Sequence, residues 1–294
     1  MKRNVFLLVL VLILSMAVFA GCGEDAGADP TSAPTNATTT APTSAPTSTP
    51  TAEPTAEPTP VPTIAPTVVN GKYAYGYIKE GLVILYEGNY NTEDGLNAES
   101  TTWYDLSGNG NHTTDLVLGD NCKFTDKGLW VDSVRVLLTD VALDTINSEA
   151  FTVEFRVNEI TIMGTNYATL VNANNDAFAL YYDVNTTNLA FKNGANARPK
   201  LGDALEYIGD TTITVTFDLD AGECYMYVDG EYVAEAEPTD LLGAESPMFL
   251  CHDSSAKKYS GYITSFRVYN RALDEDEILH NATLEQAITP VVAE

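Results

Sequence analysis

The second half of the chain alternates apolar and hydroxyl-bearing residues with a period of two. In residues 211–217, TTITVTF, the apolar side chains of Ile213, Val215 and Phe217 fall on one side, and those of Thr212, Thr214 and Thr216 fall on the other. This period is typical of a β-strand that has one buried face and one solvent-exposed face. The pattern therefore predicts a strand whose threonine face is wet.

The next segment repeats the alternation and ends in a turn. Tyr225 and Tyr227 are expected to point outward, and Asp229-Gly230 supplies the positive φ angles of a tight hairpin turn before the following strand. The residues expected on the core side of this strand are Cys224, Met226 and Val228.

Two more segments read in the same way: FTVEFRV at 151–157 and ALYYDV at 179–184. Turn residues recur between such segments about every 8 to 12 positions, and no long helical stretch interrupts them. The pattern predicts an all-β fold, in which two antiparallel sheets pack as a β-sandwich.

The last strand is expected to carry an irregularity. Ile263 and Phe266 both look like core positions, yet they are three residues apart, which strict alternation does not allow. We therefore predict a β-bulge near Thr264 and Ser265.

A short helix is predicted after this strand. Asp274 and Glu277 have the spacing of an N-cap residue and its reciprocal acid at N3, so a helical turn should run from about residue 275 to 280. Leu273 and Ile278 are the contacts that it is expected to bury.

The N-terminus predicts export. Two basic residues precede an apolar run at 5–19, and Ala20-Gly21 stands directly before Cys22. Residues 1–21 therefore read as a secretion signal. The sequence FAGC resembles the lipobox of bacterial lipoproteins, although Phe19 replaces the usual leucine, and the resemblance implies that Cys22 carries a diacylglycerol. An uncleaved membrane anchor is the alternative, but the run is shorter than the roughly 20 residues that a span needs.

The amino-acid composition divides the rest of the chain into a stalk, a folded domain and a tail. Residues 22–69 are rich in threonine and proline and lack aromatic residues, so they are predicted to be a disordered stalk that biases toward an extended conformation. Residues 70–286 carry the tyrosines and tryptophans and are predicted to be the folded domain, and 287–294 form a tail.

The net charge narrows the classes of molecule that the chain is expected to bind. With 15 basic and 41 acidic residues, the chain has a net charge of −26, which excludes nucleic acid as an expected partner.

Beyond Cys22 there are three cysteines, Cys122, Cys224 and Cys251, so at least one thiol stays unpaired. A disulfide between Cys122 and Cys251 is left open.

Three segments together resemble a known module: GLVILYEG at 81–88, WYDLSGNGNH at 103–112 and SFRVYNRAL at 265–273. They are similar to the laminin G-like, concanavalin A-like jelly-roll domain of bacterial surface proteins. The resemblance covers about residues 77–284 and implies a two-sheet antiparallel jelly roll. It leaves the function open, because such modules serve as lectins, adhesion domains, enzyme accessories and spacers.

The loop after Trp103 has two interpretations. Asp105, Asn109 and Asn111 offer oxygen atoms in a sharply folded, glycine-containing segment, as a calcium ion requires. The same residue types also form turns without any metal. Many relatives of this fold bind calcium near such a loop, so calcium is retained as a candidate cofactor.

Catalysis is not expected. The glucanases that resemble this sandwich place a Glu-x-Asp-x-Glu motif along one strand, and the sequence has no such strand. It also lacks a Gly-x-Ser-x-Gly elbow. We therefore expect a non-enzymatic protein.

Ligand binding is the function that remains, and the tyrosines predicted to point outward are the candidate binding residues. Tyr225 and Tyr227 would form an exposed aromatic face beside threonine hydroxyls, and Tyr182 is a candidate extension of it. Sugars stack their apolar faces on such rings. The sequence thus predicts a lipid-anchored domain on the outer face of a bacterial membrane that binds carbohydrate. Adhesion to an extracellular protein and a structural spacer role are the alternatives.

Overall fold

The computed structural model describes residues 67–69, 72–74, 76–184, 188–193 and 209–287. The predicted signal peptide, the lipidation site at Cys22 and most of the predicted stalk lie outside the described residues, as does the tail from residue 288 onward. The chain divides into two units, Met1–Glu57 and Pro58–Glu294, and every described residue belongs to the second unit.

The described elements are mostly strands. The strands are β1 (Thr67–Val69), β2 (Lys72–Ala74), β3 (Leu82–Glu87), β4 (Cys122–Thr125), β5 (Gly128–Asp132), β6 (Val136–Leu137), β7 (Ala150–Ile162), β8 (Tyr167–Ala173), β9 (Phe178–Asp183), β10 (Asn188–Asn193), β11 (Thr211–Asp218), β12 (Glu223–Val228), β13 (Glu231–Ala236), β14 (Met248–Leu250) and β15 (Tyr259–Tyr269). The helices are α1 (Asp140–Ile146) and α2 (Glu275–Ala287). Within the described part of the chain, neither helix has the length and apolar character that a membrane crossing requires.

The strands form two main antiparallel sheets, which confirms the predicted β-sandwich. Among the described residues, the larger sheet has eight strands in the order β13-β12-β11-β7-β15-β5-β4, with β3 also paired to β15. The smaller sheet has the order β10-β9-β8-β14-β6. Strands β1 and β2 pair with each other, so residues 67–69, assigned to the stalk from the sequence, lie in a small hairpin.

The core lies between the two sheets. Phe151 of the larger sheet stacks on Phe217 with ring centroids 5.0 Å apart, and its edge contacts Phe178 of the smaller sheet at 6.0 Å. The inward residues predicted for β11 and β12 lie in this core, where Val228 is partly buried and the others are at most 1% exposed. Burial of these apolar side chains is the main force that holds the two layers together.

Two local predictions for the strands are confirmed. Asp229 and Gly230 both have positive φ, 51° and 85°, in the turn that joins β12 to β13. The pairing of β15 with β7 shifts register between Ile263 and Ser265, which is where the bulge was expected.

The opposite face of β11 is buried, which corrects the expectation of a wet threonine face. Thr212, Thr214 and Thr216 are between 1% and 3% exposed. Helix α2 contacts β11, and Asn281 of α2 donates a hydrogen bond to the buried Glu154 on the neighbouring strand β7. Alternation identified the two faces of the strand correctly, but it could not reveal that a helix covers the second face.

Helix α2 begins where the capping motif predicted. The Glu277 amide donates to Asp274 Oδ1 at 2.9 Å, and the Asp274 amide donates to Glu277 Oε2 at 3.1 Å. Leu273 and Ile278 are buried as expected, at 4% and 0% exposure. The helix is longer than predicted, however, because it continues to Ala287.

The cysteine thiols of Cys122 and Cys251 are buried, and no disulfide joins them. Burial raises the pKa of each thiol to about 11. Both groups are therefore protonated and unreactive at neutral pH.

Candidate functional site

The loop proposed for calcium forms a closed hydrogen-bonded turn around Asp105. Its Oδ1 accepts from the amides of Leu85 and Ser107, both at 2.9 Å, and its Oδ2 accepts from Ser107 Oγ at 2.8 Å and from the Asn111 amide at 3.0 Å. The Asn109 amide group donates to Leu82 O at 2.8 Å. These bonds favour the turn interpretation, because the carboxylate oxygens already have partners.

Two further observations bear on the calcium hypothesis. His112 belongs to the same turn, and its Nδ1 accepts from the Asp105 amide at 2.9 Å. Among the described residues, no group of three or more histidine, cysteine or acidic side chains is arranged to hold a metal ion. Calcium binding at Asp105, Asn109 and Asn111 stays a prediction.

The tyrosines predicted to face outward form a compact cluster with a third ring. Tyr225, Tyr227 and Tyr232 contact one another edge to face, with centroids 6.0 to 6.5 Å apart, and we call them the tyrosine cluster. Tyr227 is only 7% exposed because it packs with Tyr269 and Ile278, whereas Tyr232 is half exposed. The exposed aromatic surface therefore comes from Tyr225 and Tyr232. Tyr227 lies on the face opposite the main core, as predicted, but the expectation that it would be exposed was wrong.

Tyr182 does not extend this surface, which corrects the sequence-based placement. It is 5% exposed and packs in the core between the sheets. Its neighbour Tyr181 points to the other face of β9, where it contacts Tyr167 edge to face at 5.0 Å. Both belong to the smaller sheet, whereas the tyrosine cluster belongs to the larger one.

Sequence reasoning missed a network of charges beneath α2, which is buried except for the half-exposed Asp210. Arg267 Nε donates to Glu154 Oε2 at 2.8 Å, and Arg267 also pairs with Glu285 of α2. Arg156 joins Glu285 at 3.0 Å and Asp210 at 2.6 Å. We call these five side chains the charge network. The available signal was the pair of charges at alternate positions of β7, Glu154 and Arg156, on the side opposite its core residues.

The pKa values of two carboxyl groups at this network move in opposite directions. Burial, together with the charge of Glu285, raises the pKa of Glu87 well above its usual range. Burial also opposes ionisation of Glu285, but the charges of Arg267 and Arg156 outweigh it and lower the pKa of that carboxyl. Such a pair resembles the acid and base of a hydrolase. Two guanidinium groups nevertheless hold the Glu285 oxygens, so its structural role is to fasten α2 to the sheet.

A pocket of about 200 Å³ lies on the outer face of the smaller sheet. Cross-strand pairing explains it, since Ala179 of β9 lies between Asn172 of β8 and Lys192 of β10. The small alanine leaves a depression between two longer polar side chains. We call this cavity the sheet pocket; it is lined by Tyr167, Thr169, Asn172, Asp176, Ala179, Tyr181, Lys192 and Lys257.

Polar groups are linked along one side of the sheet pocket. Asn172 Nδ2 donates to Asp176 Oδ1 at 2.5 Å, and Lys257 Nζ lies 3.3 Å from Asp176 Oδ2. Partial burial would raise the pKa of Asp176, but the Asn172 hydrogen bond and the charges of Lys257 and Lys192 lower it below its usual value. Asp176 is thus a carboxylate at neutral pH.

The opposite end of the Asn172 amide is unsatisfied. Its Oδ1 is buried and accepts no hydrogen bond from any described residue. Buried polar atoms in folded proteins nearly always have a partner, so an exception calls for a specific explanation. Asn172 lines the sheet pocket, so this unpaired oxygen belongs to a residue of the pocket wall.

A second depression lies among the loops near Tyr104 and His112, whose rings are 4.9 Å apart. It has a volume of about 680 Å³ and includes the exposed carboxylates of Glu93 and Asp94. This loop pocket is larger and more open than the sheet pocket, and its acidic side chains give it the opposite charge.

A family model described as the concanavalin A-like lectin/glucanases superfamily, Laminin_G_3, matches residues 133–279, which is half of the chain. The matched stretch contains every residue of the sheet pocket and of the tyrosine cluster. A comparison with curated proteins found no match.

Solved structures share this fold at low sequence identity. A Trypanosoma rangeli sialidase in complex with sialic acid matches with a TM-score of 0.53 and 19% identity, covering 77% of this chain and 36% of the sialidase. Domain 4 of AbnA, an extracellular arabinanase from Geobacillus stearothermophilus, in complex with arabinotriose, matches with a TM-score of 0.51 and 17% identity, covering 68% of this chain and 98% of the domain. The chain spans little more than a third of the sialidase, and identities this low establish the fold alone.

Proposed function

Because the chain belongs to the concanavalin A-like lectin/glucanase superfamily, we propose that its sandwich is a non-catalytic module that binds carbohydrate in the sheet pocket. The observation that carries the proposal is the combination of aromatic and polar groups in one cavity. Tyr167 and Tyr181 form one wall, while Asn172, Asp176 and Lys257 form a connected polar side.

This combination suits a sugar residue. Aromatic rings accept the apolar C–H face of a pyranose, and neighbouring amide, carboxylate and ammonium groups exchange hydrogen bonds with its hydroxyls. The volume of about 200 Å³ is below the roughly 300 to 1,000 Å³ of typical small-molecule pockets. It therefore suits one sugar residue of a longer chain.

The arabinanase domain gives the proposal further support. It has the same fold and was solved in complex with arabinotriose, so an oligosaccharide ligand is compatible with this architecture.

We propose that the module is not catalytic because the histidines and carboxyl groups that could act as catalysts already take part in hydrogen bonds or ion pairs. His112 Nδ1 and His252 Nδ1 each accept a backbone amide hydrogen bond, at 2.9 Å in both cases, and His280 Nε2 lies 2.9 Å from the Gly76 carbonyl oxygen. Of the carboxyls with opposed pKa shifts, Glu285 belongs to the charge network and Glu87 adjoins it, and neither lines the sheet pocket.

A glycan array with two matched tyrosine variants tests the proposal. Tyr167 and Tyr225 are both partly exposed, but only Tyr167 lines the sheet pocket. We expect Tyr167→Ala to remove the array signal and Tyr225→Ala to retain it, with melting temperatures confirming that both variants fold. The reverse result would move binding to the tyrosine cluster. Absence of binding by the wild-type protein to every glycan would overturn the proposed function.

Adhesion to an extracellular protein is the second candidate, and the tyrosine cluster favours it. Tyr232 is half exposed on β13, which ends the strand order of the larger sheet. Exposed aromatic residues are enriched at protein interfaces. Adhesion would become the preferred function if the protein bound no glycan and Tyr232→Ala reduced its attachment to extracellular matrix proteins.

We also propose that the module is displayed on the outer face of a bacterial cell membrane through a lipid on Cys22. The support is the sequence around Cys22 and the threonine- and proline-rich segment that follows it. Incorporation of labelled palmitate into the wild-type chain, and its loss in Cys22→Ala, tests the lipid. Removal of the domain by protease added to intact cells tests the location.

A further inference from the structure

We propose that the sugar bound in the sheet pocket is a carboxylated one, whose negative charge is held by Lys192 beside Lys257. This inference rests on the proposed function and deepens it, because it names the chemical class of the ligand. Its support is the position of Lys192, the pairing of charges in the pocket and the unsatisfied Asn172 oxygen.

The register of the smaller sheet fixes Lys192 at the pocket. Lys192 of β10 pairs with Ala179 of β9, which pairs in turn with Asn172 of β8. Residues directly opposite each other on neighbouring strands lie on the same face. Lys192 and Asn172 therefore flank the depression above Ala179 from two sides.

The charges in the pocket leave one cation uncompensated. Lys257 is paired with Asp176, whereas Lys192 has no ion pair within the described residues. Two ammonium groups and one carboxylate give the pocket a net charge of about +1. This excess is local in a chain whose overall charge is −26.

Long-range repulsion does not prevent an anion from binding there. At physiological ionic strength the Debye length is about 8 Å, so distant carboxylates are largely screened. Charges in the pocket wall dominate instead, and the charged residues that line it are the two lysines and the already paired Asp176.

Asn172 explains why the ligand should be a sugar acid rather than a simple anion. Its Oδ1 needs a hydrogen-bond donor, which a carboxylate cannot supply and a hydroxyl group can. A carboxylated sugar offers a hydroxyl and an anionic group on one ring. The pocket thus combines the polar side chain of Asn172, a cation and an aromatic wall, each of which matches a different part of such a ring.

The test compares acidic oligosaccharides with neutral derivatives of the same sugars. Oligogalacturonate and its methyl ester, and a sialylated oligosaccharide and its methyl ester, are titrated into the full chain by calorimetry at low and at physiological salt. We expect at least one acid to bind about tenfold more tightly than its ester, and we expect this preference to shrink as salt increases.

Substitutions test whether the preference for acidic sugars over their esters arises in the sheet pocket. Lys192→Met removes the charge while keeping an unbranched side chain, and it should weaken acid binding about tenfold. Lys123→Met is the matched control, because Lys123 is exposed on β4 outside the pocket, and it should leave binding unchanged. Asp176→Asn should retain or increase acid binding, since it frees Lys257. Asparagine also tolerates the positive φ of 55° at that position.

The outcomes separate this inference from the proposed function. Equal binding of acids and esters, lost in Tyr167→Ala, would overturn the carboxylate preference and leave carbohydrate binding intact. A preference for acids that persists in Lys192→Met would also overturn the assignment to this pocket. Failure to bind any glycan, acidic or neutral, would overturn both.

Discussion

Arg267 and Glu154 form an ion pair with an Nε to Oε2 distance of 2.8 Å, and neither side chain is more than 1% exposed. The pair joins β15 to β7 on the face that α2 covers. Removing one partner would leave the other as an uncompensated charge in a dry environment, which is far more costly than losing a surface ion pair.

Arg267→Met is therefore expected to destabilise the fold by about 3 to 5 kcal/mol, measured by urea denaturation. Lys127→Met is the control, because the ion pair between Lys127 and Glu159 is about half exposed and its loss should have little effect on stability. Equal midpoints for the two variants would contradict the structural role of the charge network.

Glu285→Gln should destabilise the protein at neutral pH, and the difference from wild type should shrink in acid. The pKa of Glu285 is lowered in the folded state, so its contribution to stability is present above the unfolded pKa of about 4.3 and is lost as the pH falls through the folded value. Urea denaturation at pH 7 and at pH 3 measures the change. A deficit that stays constant over this range would contradict the ionised state of Glu285.

Glu87→Gln should show the opposite dependence. The pKa of Glu87 is raised on folding, so its favourable contribution is complete below about pH 4.3 and declines as the pH rises toward the folded value. A glutamine keeps the acceptor for Ser265 Oγ, which lies 3.1 Å from Glu87 Oε1, and it does not ionise. The variant should gain stability relative to wild type between pH 4 and pH 8. A relative loss over this range would indicate that Glu87 is held as a carboxylate.

Asp274→Ala should destabilise α2 by about 0.5 to 2 kcal/mol, because it removes the side-chain acceptor for the Glu277 amide. Asp276→Ala is the comparison, since Asp276 is an exposed acid in the same first turn. It should have a smaller effect through the helix dipole alone. Equal losses in thermal unfolding would show that charge, rather than capping, is the important property of Asp274.

The elements that could be predicted from the sequence depend on local physical rules. The turn at Asp229-Gly230, the bulge near Ser265 and the start of α2 at Asp274 each follow from the conformational or hydrogen-bonding preferences of adjacent residues. The alternation in β11 likewise separated Phe217 and its companions from the threonines.

The sheet pocket could not be predicted, because it depends on contacts between distant parts of the chain. Asn172 and Lys192 meet only through the register of three strands, and Lys257 arrives from a loop 81 residues after Asp176. The burial of Tyr227 has the same origin, since Ile278 of α2, which packs against it, comes 51 positions later. Alternation assigns side chains to two faces of a strand, but it does not say which face remains exposed.

Melting temperatures measured with and without calcium test whether the loop after Trp103 binds a metal ion at Asp105. Both of its carboxylate oxygens already accept hydrogen bonds, so we expect the melting temperature to be the same in millimolar calcium and in chelator. Asp105→Asn should nevertheless cost about 1 to 3 kcal/mol, because an amide N–H would face backbone donors. Asp115→Asn, at an exposed position with a positive φ that asparagine accepts, should change stability by less than about 0.5 kcal/mol. A calcium-dependent rise in melting temperature that disappears in Asp105→Asn would instead identify a calcium site.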